Sequence, residues 1–300
     1  MKIAKIHRKG VWRDPLKKLS NCKVVSLLFA TCLGAPAWAA DSTPLSFGVI
    51  SQRSPLLAAQ FWNPILHYIG KRSGVPLELK LAKTGPEHAE MVHRGEYSFI
   101  YSNHNFTRQN DRVGYSVFAR PNQPAIRGEI IVLADSPIRD VADLRSREVV
   151  FPSQVAFVGY TVPMDMLVRA GVKVNPLFAG TQEGAIAQMV SGRAVAAGVN
   201  SQVAQAYAKR QNINYRVLWR SEEYLDIPLS AHPGIPKDKV NAVRDALISM
   251  SDDPEGRKIL AEAARLFHLE SPFGFVAARD AEFNNVRRLY RTSPVEESRQ

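Results

Sequence analysis

Residues 149–218 read VVFPSQVAFVGYTVPMDMLVRAGVKVNPLFAGTQEGAIAQMVSGRAVAAGVNSQVAQAYAKRQNINYRVL, and the switches of period within them decide the fold. Val149-Val150-Phe151 is an unbroken apolar run of strand type. Gly159 to Ala170 carries apolar residues at helical spacing and stops at Gly171. Val174 to Phe178 returns to strand, and Gln182 to Val190 to a helix stopped by Gly192. Strand Val195 to Val199, helix Gln202 to Lys209 and strand Tyr215 to Leu218 complete the series. Strands alternating with helices of about 10–15 residues imply parallel sheets flanked by helices.

Upstream the alternation is the same. Leu45 to Ile50 reads as a strand, and Ser54-Pro55 as a helix start with Ser as N-cap and Pro at the first helical position. That helix runs to Arg72 and ends at Gly74, with Leu57, Phe61, Ile65, Leu66 and Ile69 facing inward. Pro76 to Leu81 and Tyr97 to Tyr101 are strands around a short helix, His88 to His93; Val113 to Ala119 and Gly128 to Leu133 are two more. Downstream, Leu229 to Ala231 is a return crossing, followed by helices Asp238 to Met250, Pro254 to Phe267 and Asp280 to Tyr290. Extended segments near 130–136 and 218–231 join the two series. The pattern therefore predicts an α/β chain of two lobes, 44–133 plus 230–291 and 134–229. Each is a mostly parallel sheet flanked by helices, the two are linked by a two-strand hinge, and 292–300 is a frayed polar tail.

The 300-residue chain is 45% apolar and 22% charged, a globular composition with room for two domains. Its formal charge of +11 would suggest a nucleic-acid partner if it were clustered in the folded part. Residues 1–39 hold eight Lys/Arg and one acid, so the remainder has 31 basic against 27 acidic side chains, a net of +4 without basic runs. Nucleic-acid binding is not expected. The same 39 residues have the three parts of a cleavable secretory signal: a basic n-region ending near Lys23, an apolar stretch Val24 to Leu33, and Ala37-Trp38-Ala39. The apolar stretch is much shorter than the ~20 residues that span a bilayer. Cys32, after Phe29-Ala30-Thr31, keeps a lipidated form open, although that triplet lacks the leucines of a usual lipobox. Cys22 and Cys32 are the two cysteines, so the exported chain has no disulfide, thiolate nucleophile or cysteine-held metal. A periplasmic destination follows.

Several segments in order carry a resemblance. They are Phe47-Gly48-Val49 with Ser54-Pro55, Trp62-x-Pro64 and Tyr68-Ile69; Gly95-Glu96-Tyr97-Ser98-Phe99; Ile131 to Ser136; Val141 to Arg145; Gly159-Tyr160-x-x-Pro163; Gly171-Val172; and Asp253-Pro254-Glu255-Gly256-Arg257. Over roughly residues 44–290 their order and spacing resemble phosphate/phosphite/phosphonate-type substrate-binding proteins of ABC importers. The resemblance implies the type II periplasmic binding-protein fold, a small-molecule ligand between two lobes, and a membrane permease as partner. It also locates two departures. Typical members place Ser-Thr-Ser before the Gly-Tyr of the second lobe, where hydroxyls and backbone N–H groups hold phosphonate oxygens; here the run is Ala156-Phe157-Val158. A Gly-Ser-His-Asp turn appears as Gly180-Thr181-Gln182-Glu183. The implied phosphonate is therefore not carried over, and the ligand is left as a small molecule, oxyanionic or not.

Ligands of open α/β sheets bind beyond the carboxyl ends of strands. That rule selects Gln52, Arg53, Tyr101, Ser102, Asn103, His104, Ser153, Ala156, Phe157, Thr181, Gln182 and Asn200. Each also has a structural reading. Tyr101 and Phe157 fit core packing as well as a cleft wall, His104 a hydrogen-bonded structural role, Arg53 a solvated loop, and Asn200 a helix cap. No G-x-S-x-G, H-E-x-x-H, P-loop or G-x-G-x-x-G is present, and His88 and His93 are five apart, off a common helical face. Catalysis, a metal and a cofactor are not expected. A monomeric binding module for an ABC importer is the leading reading. A sensory module that presents its lobes to a membrane receptor or signalling enzyme, and an exported lyase or transferase, remain alternatives.

Overall fold

The computed structural model describes residues 43–50 and 54–295. The leader expected at 1–39, with its candidate lipidation site, and the site candidates Gln52 and Arg53 fall outside them.

Strand β1 (Leu45–Val49), helix α1 (Pro55–Ser73), β2 (Leu77–Leu81), α2 (Gly85–His93), β3 (Phe99–Tyr101) and β4 (Ser116–Pro121) form the first half. The chain then crosses into β5 (Gly128–Leu133), β6 (Glu148–Phe151), α3 (Val162–Arg169), β7 (Asn175–Phe178), α4 (Gln182–Val190), β8 (Ala196–Asn200), α5 (Ser201–Gln211) and β9 (Tyr215–Arg220). It returns through β10 (Leu229–Ala231), α6 (Lys237–Ile248), α7 (Pro254–Phe267) and β11 (Phe275–Ala277), and closes with α8 (Asn284–Thr292).

Two sheets result, a six-stranded one ordered β11-β4-β10-β3-β1-β2 and a five-stranded one ordered β7-β6-β8-β5-β9. Both are mixed rather than mostly parallel. The pairs β1–β2, β1–β3, β6–β7 and β6–β8 are parallel, as βα crossovers require. Every pair involving β10, β11 or β5 is antiparallel, because these strands enter each sheet from the connecting segments or the C-terminal return. Strand β11 had no counterpart in the predicted helical run after Lys237. Strand β5 was assigned to the first lobe by its place in sequence, yet it pairs with β8 and β9 in the second sheet. The segments that cross between sheets are thus 122–127 and 221–228. They hydrogen-bond to each other at Ile126 and Tyr224, N–H to carbonyl in both directions, at 2.7 and 2.8 Å.

Helix α1 shows why the first half folds as its sequence predicts. Ser54 Oγ accepts from Leu57 N–H, Pro55 occupies the first turn, and Gly74 caps the end at φ 70° with its N–H on Gly70 O. The inward face (Phe61, Trp62, Ile65, Leu66, Ile69) is buried against β1, β3, α6 and α7. Tyr68 and Arg72 reach Asp253, whose carboxylate also caps α7 through Gly256 N–H. The second sheet needs Gly198 in β8: a Cβ there would lie 2.4 Å from the Phe151 ring and 2.9 Å from Gly159 O.

The C-terminal segment departs most from expectation. The sequence predicts a frayed tail over 292–300; residues 296–300 lie outside the described residues, but Ser293 and Val295 are buried, Val295 in the core of the second sheet. Helix α8 lies across both halves. Its Tyr290 and Val286 pack with Phe157, Val158 and Val162 from one side and Phe106 and Val117 from the other, around Ile126 and Tyr224 of the crossing segments. Arg287 pairs with Asp111 and Asp280, and Arg169 donates to Thr292 O. Side chains hidden in this way make the tail's polar composition misleading.

Candidate functional site

A cleft runs between the carboxyl ends of the two sets of parallel strands. From the first half it receives Ile50, Gly85 at the start of α2, and Asn103-His104 after β3; from the second it receives Pro152 to Val158 and Gly180 to Gln182. The walls meet closely. His104 Nε2 donates to Val155 O across the cleft at 2.9 Å, which assigns the ring proton to that nitrogen. Gly85 permits the approach: a Cβ there would stand 3.0 Å from Val155 Cγ2, which would have to give by a few tenths of an ångström. Behind this contact a deep cavity of about 40 Å³ remains, room for a water or a group of a few atoms.

The sequence candidates sort into three groups. Asn103, His104, Ser153, Ala156, Phe157, Thr181 and Gln182 converge on the deep cavity. Tyr101 and Asn200 instead line a second, wider chamber of about 640 Å³ beside it, between α5 and the β11 end of the first sheet. Ser102 lines neither of these spaces; it is fully buried, meets His88 Nε2 at 3.0 Å and accepts His104 N–H. Within the first group the chemistry is mostly backbone. Thr181 Oγ1 is occupied capping α4 on Gly184 N–H, and Gln182 Oε1 accepts Asn200 N–H, tying the start of α4 to the end of β8. Asn200 Oδ1 caps α5 on Gln202 N–H. The Phe157 ring also belongs to the cluster under α8, 4.9 Å from Tyr224 and 5.2 Å from Tyr290. A π-helical turn, Phe157–Thr161, leads into α3. Asn103 Oδ1 is buried at the cavity without a hydrogen-bond partner among the described residues.

These observations converge with a family match. The family described as "ABC transporter, phosphonate, periplasmic substrate-binding protein" matches residues 47–283. The chain belongs to this family of substrate-binding proteins. Its members bind solutes and are not catalysts. Solved structures agree on the fold. The binding component of a phosphonate transporter from Pseudomonas aeruginosa is 19% identical, with a TM-score of 0.68 over 82% of this chain and 85% of that one. A Prochlorococcus marinus protein in complex with methylphosphonate is 16% identical, with a TM-score of 0.68 over 82% and 97%. A Xanthomonas citri protein bound to ATP is 17% identical, with a TM-score of 0.67 over 86% and 98%. The type II binding-protein fold is thereby shown for this substrate-binding protein. Among its described residues no group of acids and histidines is placed to hold a metal, and no helix is long and apolar enough to cross a membrane.

The sequence reading passed over Asp226 and considered His88 only as a metal ligand with His93. Asp226, in the second crossing segment, lines the wider chamber; the signal was a lone acid between Leu225 and Ile227-Pro228-Leu229. His88 is fully buried beneath Ser102, and its ring centroid is 5.5 Å from that of His104. Burial, then the neighbouring His104, holds the His88 imidazole well below the usual histidine range. The unfolded chain protonates this residue below about pH 6.5 and the folded chain does not. His88 therefore subtracts stability as pH falls through that value. His88→Gln should flatten the acid limb of a melting-temperature profile between pH 6.5 and 4.5; an unchanged slope would count against a neutral buried His88.

Proposed function

We propose that this substrate-binding protein closes its two halves over a small ligand and presents the closed form to the membrane permease of an ABC importer. One observation carries the reading: Gly85, Asn103 and His104 from one half and Ser153, Ala156 and Thr181 from the other surround a single cavity. A ligand bonded to both walls favours the closed arrangement over the open one by its differential affinity. In this reading the paired segments 122–127 and 221–228 are the hinge, and β5 to β9 move as one lobe. The protein acts in the periplasm after export, with residues 1–39 removed.

The donors left in the deep cavity favour a ligand other than a simple alkylphosphonate. Backbone N–H groups at the starts of the π-turn and of α4 suit an anionic group. None of the three family hydroxyls is present to share its oxygens, because Ala156, Phe157 and Val158 replace them. A thermal-shift screen with oxyanions, phosphonates, sulfonates, carboxylates, amino acids and amines tests the reading. Ligand at 100 times its Kd should add about 2.7 kcal/mol of stability. A response to one organic class supports a repurposed uptake cleft. A response to methylphosphonate alone would restore the family's ligand, and no response to any class would overturn small-molecule capture.

A further inference from the structure

The wider chamber has walls unlike those of the deep cavity. Trp62, Tyr101, Phe267, Phe273 and Phe275 supply ring surface on the first-half side, and α5 supplies the opposite wall. Lys209, Arg210, His268 and Glu270 also border it, but all four are exposed at the rim. Arg210 is engaged by Glu183 at 3.0 Å and lies over the Tyr207 ring. Among the described lining residues, Asp226 is the one charged group set back from the rim. Its Oδ1 accepts the N–H of Ile227 at 2.7 Å, and no ion pair to it forms within 4 Å among the described residues. Arg120 is the basic group whose field reaches it; its Nη1 donates to Pro121 O, and its buried Nε has no partner among the described residues.

We infer that this chamber is a ligand site for an organic cation, an ammonium or guanidinium carried on an apolar body, with Asp226 as counter-ion and the rings of Tyr101 and Phe267 against the body. The inference rests on the capture reading above and concerns the wider chamber, which shares no lining residue with the deep cavity and so leaves that cavity's anion-suited N–H groups as they are. A desolvated carboxylate in a chamber lined by aromatic residues is a costly arrangement without a cation and a favourable one with it. Burial pushes the Asp226 carboxyl up to about 6, against the opposing pull of its backbone hydrogen bond and Arg120. Folding thus retains the proton that the unfolded chain releases near pH 4, and ionised Asp226 weakens the fold at neutral pH. A bound cation relieves that penalty.

Calorimetric titration at pH 7.5 with three isosteric probes tests this: phenethylamine, phenethyl alcohol and phenylpropionate. The amine should bind at least tenfold more tightly than the alcohol, with no detectable binding of the acid. Asp226→Asn should weaken the amine roughly tenfold to hundredfold, the range for a charge-assisted contact. The same variant should melt above the wild type at pH 7.5 and level with it at pH 4, which shows that it is folded. Equal affinity for amine and alcohol, or an Asn variant that keeps the preference, overturns the cation site. If phenylpropionate or a phosphonate binds instead, the cation inference fails while capture stands; if no compound of the full screen binds, capture itself fails.

Discussion

Replacing Phe157 with alanine is expected to lower stability by about 3–5 kcal/mol, the range for truncating a buried aromatic ring. For a chain of this size that is a fall in melting temperature of roughly 10 °C. The reason is where the ring lies. Phe157 is 4% exposed and sits in the cluster that joins the two halves, edge-on to Tyr224 and tilted against Tyr290. Removing it opens a void among Val158, Val162, Phe106 and α8 that close-packed neighbours cannot fill without moving the crossing segments. Phe157→Thr should do no better, although it restores a hydroxyl at a position where the family has one. That hydroxyl would be buried among apolar neighbours, which costs a further ~1–3 kcal/mol. Chemical denaturation measures both variants. A loss below about 1 kcal/mol would mean that the ring packs loosely and that its replacement of a hydroxyl residue carries no structural weight.

The same residue shows how far the sequence could be read. Ala156-Phe157-Val158 was legible as a departure from a phosphonate site, because hydroxyls are either written in the sequence or not. The direction of the Phe157 side chain was not legible, since it depends on a π-helical turn and on a C-terminal helix more than 120 residues later. Helix α1 could be bounded to within a residue or two because its signals are local: a serine cap, a proline in the first turn and a glycine at the end. Strand β5 was bounded correctly at Gly128–Leu133 and placed in the wrong half, because pairing partners are non-local. Of the described site candidates, Ser102 lines neither space for a similar reason. It stands at a strand end, as the binding rule asks, but His88 beneath it takes its hydroxyl. Asp226 was passed over because only the folded chain brings it to a chamber that aromatic residues also line.

Trp62→Ala should match the loss at Phe157, about 3–5 kcal/mol, and should separate the first-half core from the chamber it floors. Trp62 is 2% exposed on the inner face of α1. Its ring lies 5.1 Å from Phe47 of β1, 5.2 Å from Phe61, 4.9 Å from Tyr101 of β3 and 6.2 Å from Phe275 of β11. One side chain therefore touches the neighbouring strands β3 and β1 as well as β11 at the far edge of the same sheet, and tilted ring pairs of this kind add about 0.5–1.5 kcal/mol each beyond burial. Alanine would remove all of these contacts and deepen the chamber beneath Tyr101. Trp62→Phe keeps a ring in the same stack and should cost less than half as much. The two variants also divide stability from recognition. If Tyr101 presents a ring surface to ligand because Trp62 backs it, the alanine variant should lose affinity for phenethylamine under conditions where it is still fully folded, and the phenylalanine variant should keep most of it. Equal affinities in both would place recognition on Asp226 alone, and equal stabilities would deny Trp62 its place at the centre of the first-half core.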